Sequence, residues 1–368
     1  MKVFHQKILW QTHEAIVSGA NIAMLEYIDA LKNGFRFFVI LPHKGTMQQE
    51  LELRNIPYRI IPQYGWTNRY NWWNIGSLIK VILRSIAAIS QTIVLIIVEK
   101  PSIVSTNTLV PFTASIAAWL KKIPHVWWIH EFGKEDFGFT IGWGHEKASL
   151  YWMQRSSKLI IGNSKAISAK FRMLMPKATI ETIYQPVSWH ASVTTAKTKH
   201  ARFLMFGQLV ASKGHKDVLQ AMATNKQQGK LLCPLHIKGP SEIKSYLEDL
   251  QQFVHENGLE DFVKIETGYF KKEEVMPQYH VLIVASHAEA FGRVIIEANK
   301  AGMRVLVRSS GGAPELINEG NGLLFSNQLE LEAALCGERA FPLSDIRCNY
   351  SETTELQTLT KLLNTACR

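Results

Sequence analysis

The 368-residue chain is 46% hydrophobic and 20% charged, which excludes a disordered or fibrous protein and predicts two domains. Its formal net charge of +10 is carried by residues 1–190, which hold 21 Lys and Arg against 11 Asp and Glu, while residues 191–368 hold 20 of each. A basic half of this kind is either a solvated surface or one that meets a membrane leaflet, a phosphate-bearing substrate or a nucleic acid.

Four cysteines, Cys233, Cys336, Cys348 and Cys367, include no CxxC pair. They read as reduced thiols of a cytosolic protein rather than as disulfides or a zinc site. The segment MKVFHQKILWQTHE has too short an apolar core for a signal peptide. The most apolar stretch, IGSLIKVILRSIAAISQTIVLIIVEK from Ile75, is interrupted by Lys80, Arg84 and Gln91. It is expected to fall short of a membrane span and to form a helix followed by a buried strand, Ile93 to Val98.

Taken in order, the first half alternates strand and helix signals. Strand Lys7 to Trp10 is followed by a helix over GANIAMLEYIDALKNG, where Ile22, Leu25, Ile28 and Leu31 recur at helical spacing. Then come strand FRFFVILP, a helix over MQQELELRN and strand YRIIP. Strand PSIVSTNT, a helix over TASIAAWLKKI, and strands HVWWIHEF and KLIIGNS complete one doubly wound domain.

The polar segment SWHASVTTAKTKH, residues 188–200, marks a linker, and the alternation restarts after it. ARFLMFGQL, PLHIKG, FVKIETG, HVLIVAS and MRVLVRS read as strands, with helices over HKDVLQAMATN and EIKSYLEDLQQFVHENG and a short one over KKEEVMPQY. The predicted fold class is therefore α/β, with two doubly wound parallel-sheet (Rossmann-like) domains facing across a cleft. The boundaries are 1–190, 191–350, and a C-terminal helix over 351–368 that packs back on the first domain. A ligand is expected at the carboxyl ends of the strands.

There is no GxGxxG after the first strand, no GxxxxGK[ST], no HExxH and no DxD. HAEAFGRVIIEANKAG, residues 287–302, holds two glutamates, Glu289 in the loop before an apolar helix and Glu297 inside it. The helix opening at Phe291-Gly292 offers N–H groups and a partial positive charge that suit a phosphate. A carboxylate a turn and a half further on can accept from both hydroxyls of a ribose.

EAFGRVIIEANKAGMRVLVRSSGGAPELINEGNGLLF resembles the donor-binding signature of glycosyltransferase family 4, the retaining GT-B transferases. Gly311, Gly312, Glu315, Asn321 and Gly322 fall in its pattern, and FGQLVASKGHKDVLQAM matches upstream through Gly207, Lys213 and Gly214. HEAIVSGAN and WWIHE resemble the family's first glycine loop and its histidine motif.

The resemblance implies a catalytic group of Glu289, His130 and Lys213. Lys213 would neutralise the departing diphosphate, Glu289 would position the donor sugar, and His130 would lie near that sugar. Glu297 would hold the ribose, and Phe291, Gly292, Arg293, Gly19, Gly207 and Gln208 would complete the donor site. Gln208 stands where many members have an arginine, and Arg293 could compensate. Gln185-Pro186 replaces a commoner Asn-Gly and would alter only a local turn.

The implied activity is sugar transfer from a nucleotide-sugar to a glycan or lipid-linked glycan acceptor, with retention, in cell-surface polysaccharide assembly. No cofactor or metal is expected, since the leaving group's charge is met by a lysine and a helix terminus. The aromatic loop YGWTNRYNWWN, with Trp66, Arg69, Trp72 and Trp73, would form the acceptor side or rest on the inner membrane leaflet of a cytoplasmic, peripheral enzyme. Two other readings stand beside this one: a same-fold sugar epimerase or phosphorylase, and a non-catalytic nucleic-acid binder using the basic half.

Overall fold

The computed structural model describes residues 6–68, 75–189, 203–341, 346 and 350–367. The chain divides into two compact units, Met1–Pro186 with Ser351–Arg368, and Val187–Tyr350.

The first unit runs β1 (Gln6–Gln11), α1 (Gly19–Leu31), β2 (Phe35–Leu41), α2 (Met47–Leu53), β3 (Tyr58–Ile60), α3 (Ile75–Glu99) and β4 (Ile103–Asn107). It continues through α4 (Thr113–Leu120), β5 (His125–Ile129), α5 (Lys134–Phe137), α6 (Glu146–Ser156), β6 (Leu159–Gly162), α7 (Lys165–Leu174) and β7 (Ile180–Thr182). All seven strands are parallel in the order β3-β2-β1-β4-β5-β6-β7, so the order reverses at β1. Strands buried on both faces read as unbroken apolar runs, and FRFFVIL and HVWWI are such runs.

The second unit runs β8 (Phe203–Phe206), α8 (His215–Gln227), β9 (Leu235–Gly239), α9 (Lys244–Glu256), β10 (Val263–Thr267), α10 (Lys272–Val275) and β11 (Val281–Val284). After these come α11 (Arg293–Lys300), β12 (Arg304–Arg308), β13 (Gly322–Phe325) and α12 (Gln328–Leu335). Its parallel sheet has the order β10-β9-β8-β11-β12-β13, and the reversal lies between β8 and β11. The chain then returns to the first unit as α13 (Glu352–Ala366), where Leu359 and Leu363 are buried in the same core as Met24 and Ile28 of α1.

One predicted strand is corrected. Residues 93–98 continue α3 instead of forming a strand, because the buried positions Val81, Ser85, Ala88, Thr92, Leu95 and Ile96 keep a helical repeat to the end. The apolar length is corrected with it: Ile79–Glu99 is long and apolar enough to cross a membrane despite Lys80 and Arg84. Ala88, Leu95 and Ile96 pack instead against Leu9, Ile40 and Val104 of the sheet.

Candidate active site

The strand order of the second unit brings two loops together. The register Val281↔Phe203 sets the carboxyl ends of β8 and β11 side by side, so residues 207–213 and 285–292 are neighbours. The His287 N–H donates to the Ser212 carbonyl at 2.9 Å and ties the two loops. A pocket opens between them, lined by residues that include Gly207, Gln208, Lys213, Ser286 and Glu289. Parallel sheets bind ligands at this reversal of strand order.

Lys213 ends a single 3-10 turn, and Gly214 follows in the left-handed conformation to open α8. A Cβ on Gly214 would collide with the Ala285 carbonyl, so glycine here is required both by its backbone angle and by the close loop. The Lys213 Nζ donates to Glu289 Oε2 at 3.0 Å, and the Ser286 hydroxyl donates to the same oxygen at 2.9 Å. The backbone of Glu289 is held from the other side. The Gly312 N–H donates to its carbonyl at 2.7 Å, and Gly311, at φ +61°, packs so closely that a Cβ would strike that carbonyl.

Three residues after Glu289, Gly292 caps α11 in a left-handed conformation, and no side chain caps the first turn. Phe291 is buried and its ring meets Tyr350 edge-on at 6.3 Å. Glu297, in the second turn, is also buried. It is ion-paired with Lys272 of α10, and Arg293 lies 3.9 Å away on its own helix. Neither glutamate is a solvated helix charge: each is shielded and faces a lysine. Lys272 was not among the sequence-predicted site residues. Gln208 is exposed at the pocket rim.

In the first unit, His130 follows the end of β5. Its Nε2–H donates to Asn107 Oδ1 at 2.8 Å, and its Nδ1 accepts from the Gln185 amide at 2.7 Å. The Asn163 amide donates to the His130 carbonyl at 3.2 Å. All of these groups stand at the carboxyl ends of β4 to β7 or in the segment that follows β7. Gln185 is buried against His130, so its expected role of altering only a local turn is corrected.

Glu131, the next residue, is buried and accepts from the Leu109 and His130 N–H groups at 2.6 and 3.1 Å. Burial pushes its carboxyl up to about 7. Gly19 opens α1, and a Cβ there would meet nothing within 4 Å, so neither turn geometry nor packing inside the chain calls for glycine.

Trp66 is corrected as an acceptor or membrane residue. It is buried, stacked on Phe112 and Trp127 at 5.1 and 5.7 Å, with its indole N–H donating to the Leu109 carbonyl at 2.6 Å. Arg69, Trp72 and Trp73 lie outside the described residues. Among the described residues, no group of three or more His, Cys, Asp or Glu is placed to hold a metal ion.

Two family models cover most of the chain, Glycosyltransferase Family 4 over residues 17–188 and Glycosyl transferases group 1 over residues 190–335. The chain belongs to the group 1, family 4 glycosyltransferases. The glycosyltransferase also matches solved structures over nearly its full length. Anabaena Alr3699/HepE, solved in complex with UDP, is 20% identical at a TM-score of 0.74, over 98% of this chain and 100% of that one. A glycosyltransferase from Rickettsia africae is 18% identical at 0.76, over 99% and 100%. The lipopolysaccharide outer core galactosyltransferase WaaB is 18% identical at 0.67, over 98% of each chain. At these identities the likeness shows the shared GT-B fold. No curated protein matches the chain.

Proposed function

We propose that this glycosyltransferase takes a sugar from a nucleotide-sugar and transfers it, with retention at the anomeric carbon, to a hydroxyl of a glycan or lipid-linked glycan. The observation that carries the reading is the pair of lysine-held carboxylates, Lys213–Glu289 and Lys272–Glu297, flanking the N-terminus of α11. UDP and UDP-glucose complexes of HepE support a nucleotide-sugar donor.

Each side chain then has a task. Glu297 accepts from the ribose hydroxyls, displacing Lys272 from its carboxylate. Lys213, Arg293 and the α11 N-terminus meet the diphosphate as negative charge grows on it. Glu289, freed by Lys213 when phosphate arrives, receives the sugar hydroxyls. In the first unit, His130 and Gly19 keep the sugar and phosphate roles that the family resemblance implies for them.

In the transfer step the acceptor oxygen bonds to the anomeric carbon on the face from which the phosphate oxygen departs. The departing phosphate oxygen takes the acceptor's proton, so the protein supplies charge stabilisation rather than a strong base. The cations already present are the reason we propose a metal-independent reaction. We place the enzyme at the cytoplasmic face of the inner membrane, in cell-surface polysaccharide assembly.

The test is turnover with separated donor and acceptor panels. Release of nucleoside diphosphate only when an acceptor is present, with an axial or equatorial product matching the donor, supports the reading. Nucleotide release without acceptor, or product of inverted configuration, overturns it. Binding of oligonucleotides that is insensitive to Glu297→Ala would favour a non-catalytic role.

A further inference from the structure

Helix α3 is apolar on both sides. Its inner positions, among them Val81, Ala88, Leu95 and Ile96, face the first unit's own core. Its outer positions Ile79, Leu83, Ile86, Val94, Ile97 and Val98 are 51–67% exposed, each a bulky aliphatic with no polar reason to face water. At about 100° per residue these six fall within one sector of about 120°, which holds exposed Ser90 near its middle and exposed Lys80 and Gln91 at one edge. The stripe runs from residue 79 to 98, roughly 29 Å at 1.5 Å per residue. Single exposed aliphatics are ordinary, but a continuous stripe of this length marks an interaction surface.

The charges around the stripe say what it meets. Lys80 and Arg84 lie along one border of it, where the Arg84 guanidinium is held by the Tyr64 hydroxyl at 2.8 Å. At its C-terminal end Lys100 is exposed, and the neighbouring helix α4 ends in Trp119-Leu120 and is followed by Lys121-Lys122, all four exposed. Because β4 and β5 are parallel neighbours, Lys100 and the Lys121-Lys122 pair precede adjacent strands at the same edge of the sheet. No acidic residue is exposed within the stripe.

We infer that α3 is a membrane-docking element: its outer stripe lies flat in the headgroup region of an anionic phospholipid bilayer, with the flanking lysines and arginine on the lipid phosphates. An apolar face bordered by cations, together with a half-exposed tryptophan, is the composition that binds in the interface plane. The helix does not span the bilayer, because its inner face forms part of the core beneath it. The inference gives a surface to the membrane location proposed above, and it replaces Trp66 as the residue that would face the leaflet.

The test uses the full chain and sedimentation with vesicles, either of equal parts phosphatidylglycerol and phosphatidylcholine or of phosphatidylcholine alone. The double variant Leu83→Asn, Ile86→Asn changes only exposed positions, and unchanged thermal melting verifies its fold. The wild type should partition at least tenfold more onto the anionic vesicles, and the double variant should lose at least tenfold of that binding. Lys121→Ala with Lys122→Ala should weaken binding and flatten its salt dependence. Glu297→Ala should bind vesicles as the wild type does, which separates this inference from the donor site. Equal binding by wild type and double variant would overturn it. So would a wild-type dimer that ignores vesicles and becomes a monomer in the double variant, since a second copy would then occupy the stripe.

Discussion

Lys272, on the four-residue helix α10, is ion-paired with Glu297 in the second turn of α11, where the carboxylate is otherwise shielded from water. Two buried-side partners 25 positions apart therefore share one salt bridge, with Arg293 as a more distant second cation. Removing Lys272 leaves a shielded carboxylate with a single weak partner. Lys272→Met should cost about 1–3 kcal/mol of stability, discounted for the part of Lys272 that water reaches. Adding Glu297→Gln should recover much of that loss. Urea unfolding of both single variants and the double variant measures the coupling, and strict additivity would contradict the pairing.

Gln185 donates to His130 Nδ1 and thereby leaves the proton on Nε2, where Asn107 accepts it. Gln185→Ala should free the ring to turn or change tautomer. Turnover should fall about tenfold with little change in thermal stability, while Asn107→Asp, which would draw a second proton onto the ring, should shift the pH profile upward. Steady-state kinetics across pH resolve the two variants.

Gly311 touches no substrate in this account, yet it sets the backbone of Glu289. Gly311→Ala puts a Cβ into the Glu289 carbonyl at a positive φ. The expected result is a loss of about 1–3 kcal/mol of stability and at least a hundredfold loss of turnover, from displacement of Glu289 and of its contact with Lys213. Unfolding and activity measured on the same preparation check both halves.

Three buried groups set a pH dependence. Burial lowers the His125 imidazole from 6.5 to about 3, and burial lowers that of His215 to about 4. Their contributions are present above pH 6.5 and are lost on acidification, because the unfolded imidazoles take up protons that the fold refuses. Glu131 acts oppositely, since burial raises it from 4.5 to about 7: its contribution is full below pH 4.5 and is lost as pH rises through 7. Between pH 6.5 and 4.5 two histidines oppose one carboxyl, so these groups together remove about 1.4 kcal/mol per pH unit of acidification. His125→Gln should flatten that slope, as read from urea unfolding at pH 6.5 and 4.5.

The fold was legible in the sequence wherever buried parallel strands wrote themselves as apolar runs, as in FRFFVIL and VLIV, with glycine turns between. Residues 93–98 misled because Ile, Val and Leu in succession suit a buried strand as well as a helix apolar on two faces. The repeat of small and apolar residues from Val81 to Ile96 was the available signal. Glu289, Glu297 and Lys213 could be picked out because a motif fixes their spacing. Lys272 and Gln185 could not, since their roles come from contacts across 25 and 55 positions that no local pattern encodes. Trp66 read as a surface aromatic because its neighbours in sequence are polar. Its neighbours in space are Phe112 and Trp127.

Glu297, with its partner Lys272, is proposed to hold the donor nucleotide. That role is tested most directly by thermal stabilisation of the wild type and Glu297→Ala across UDP, GDP, ADP, CMP and TDP. One nucleoside diphosphate is expected to raise the melting temperature of the wild type, and that rise is expected to be lost in Glu297→Ala. Equal stabilisation of both proteins, or none by any nucleotide, would contradict it.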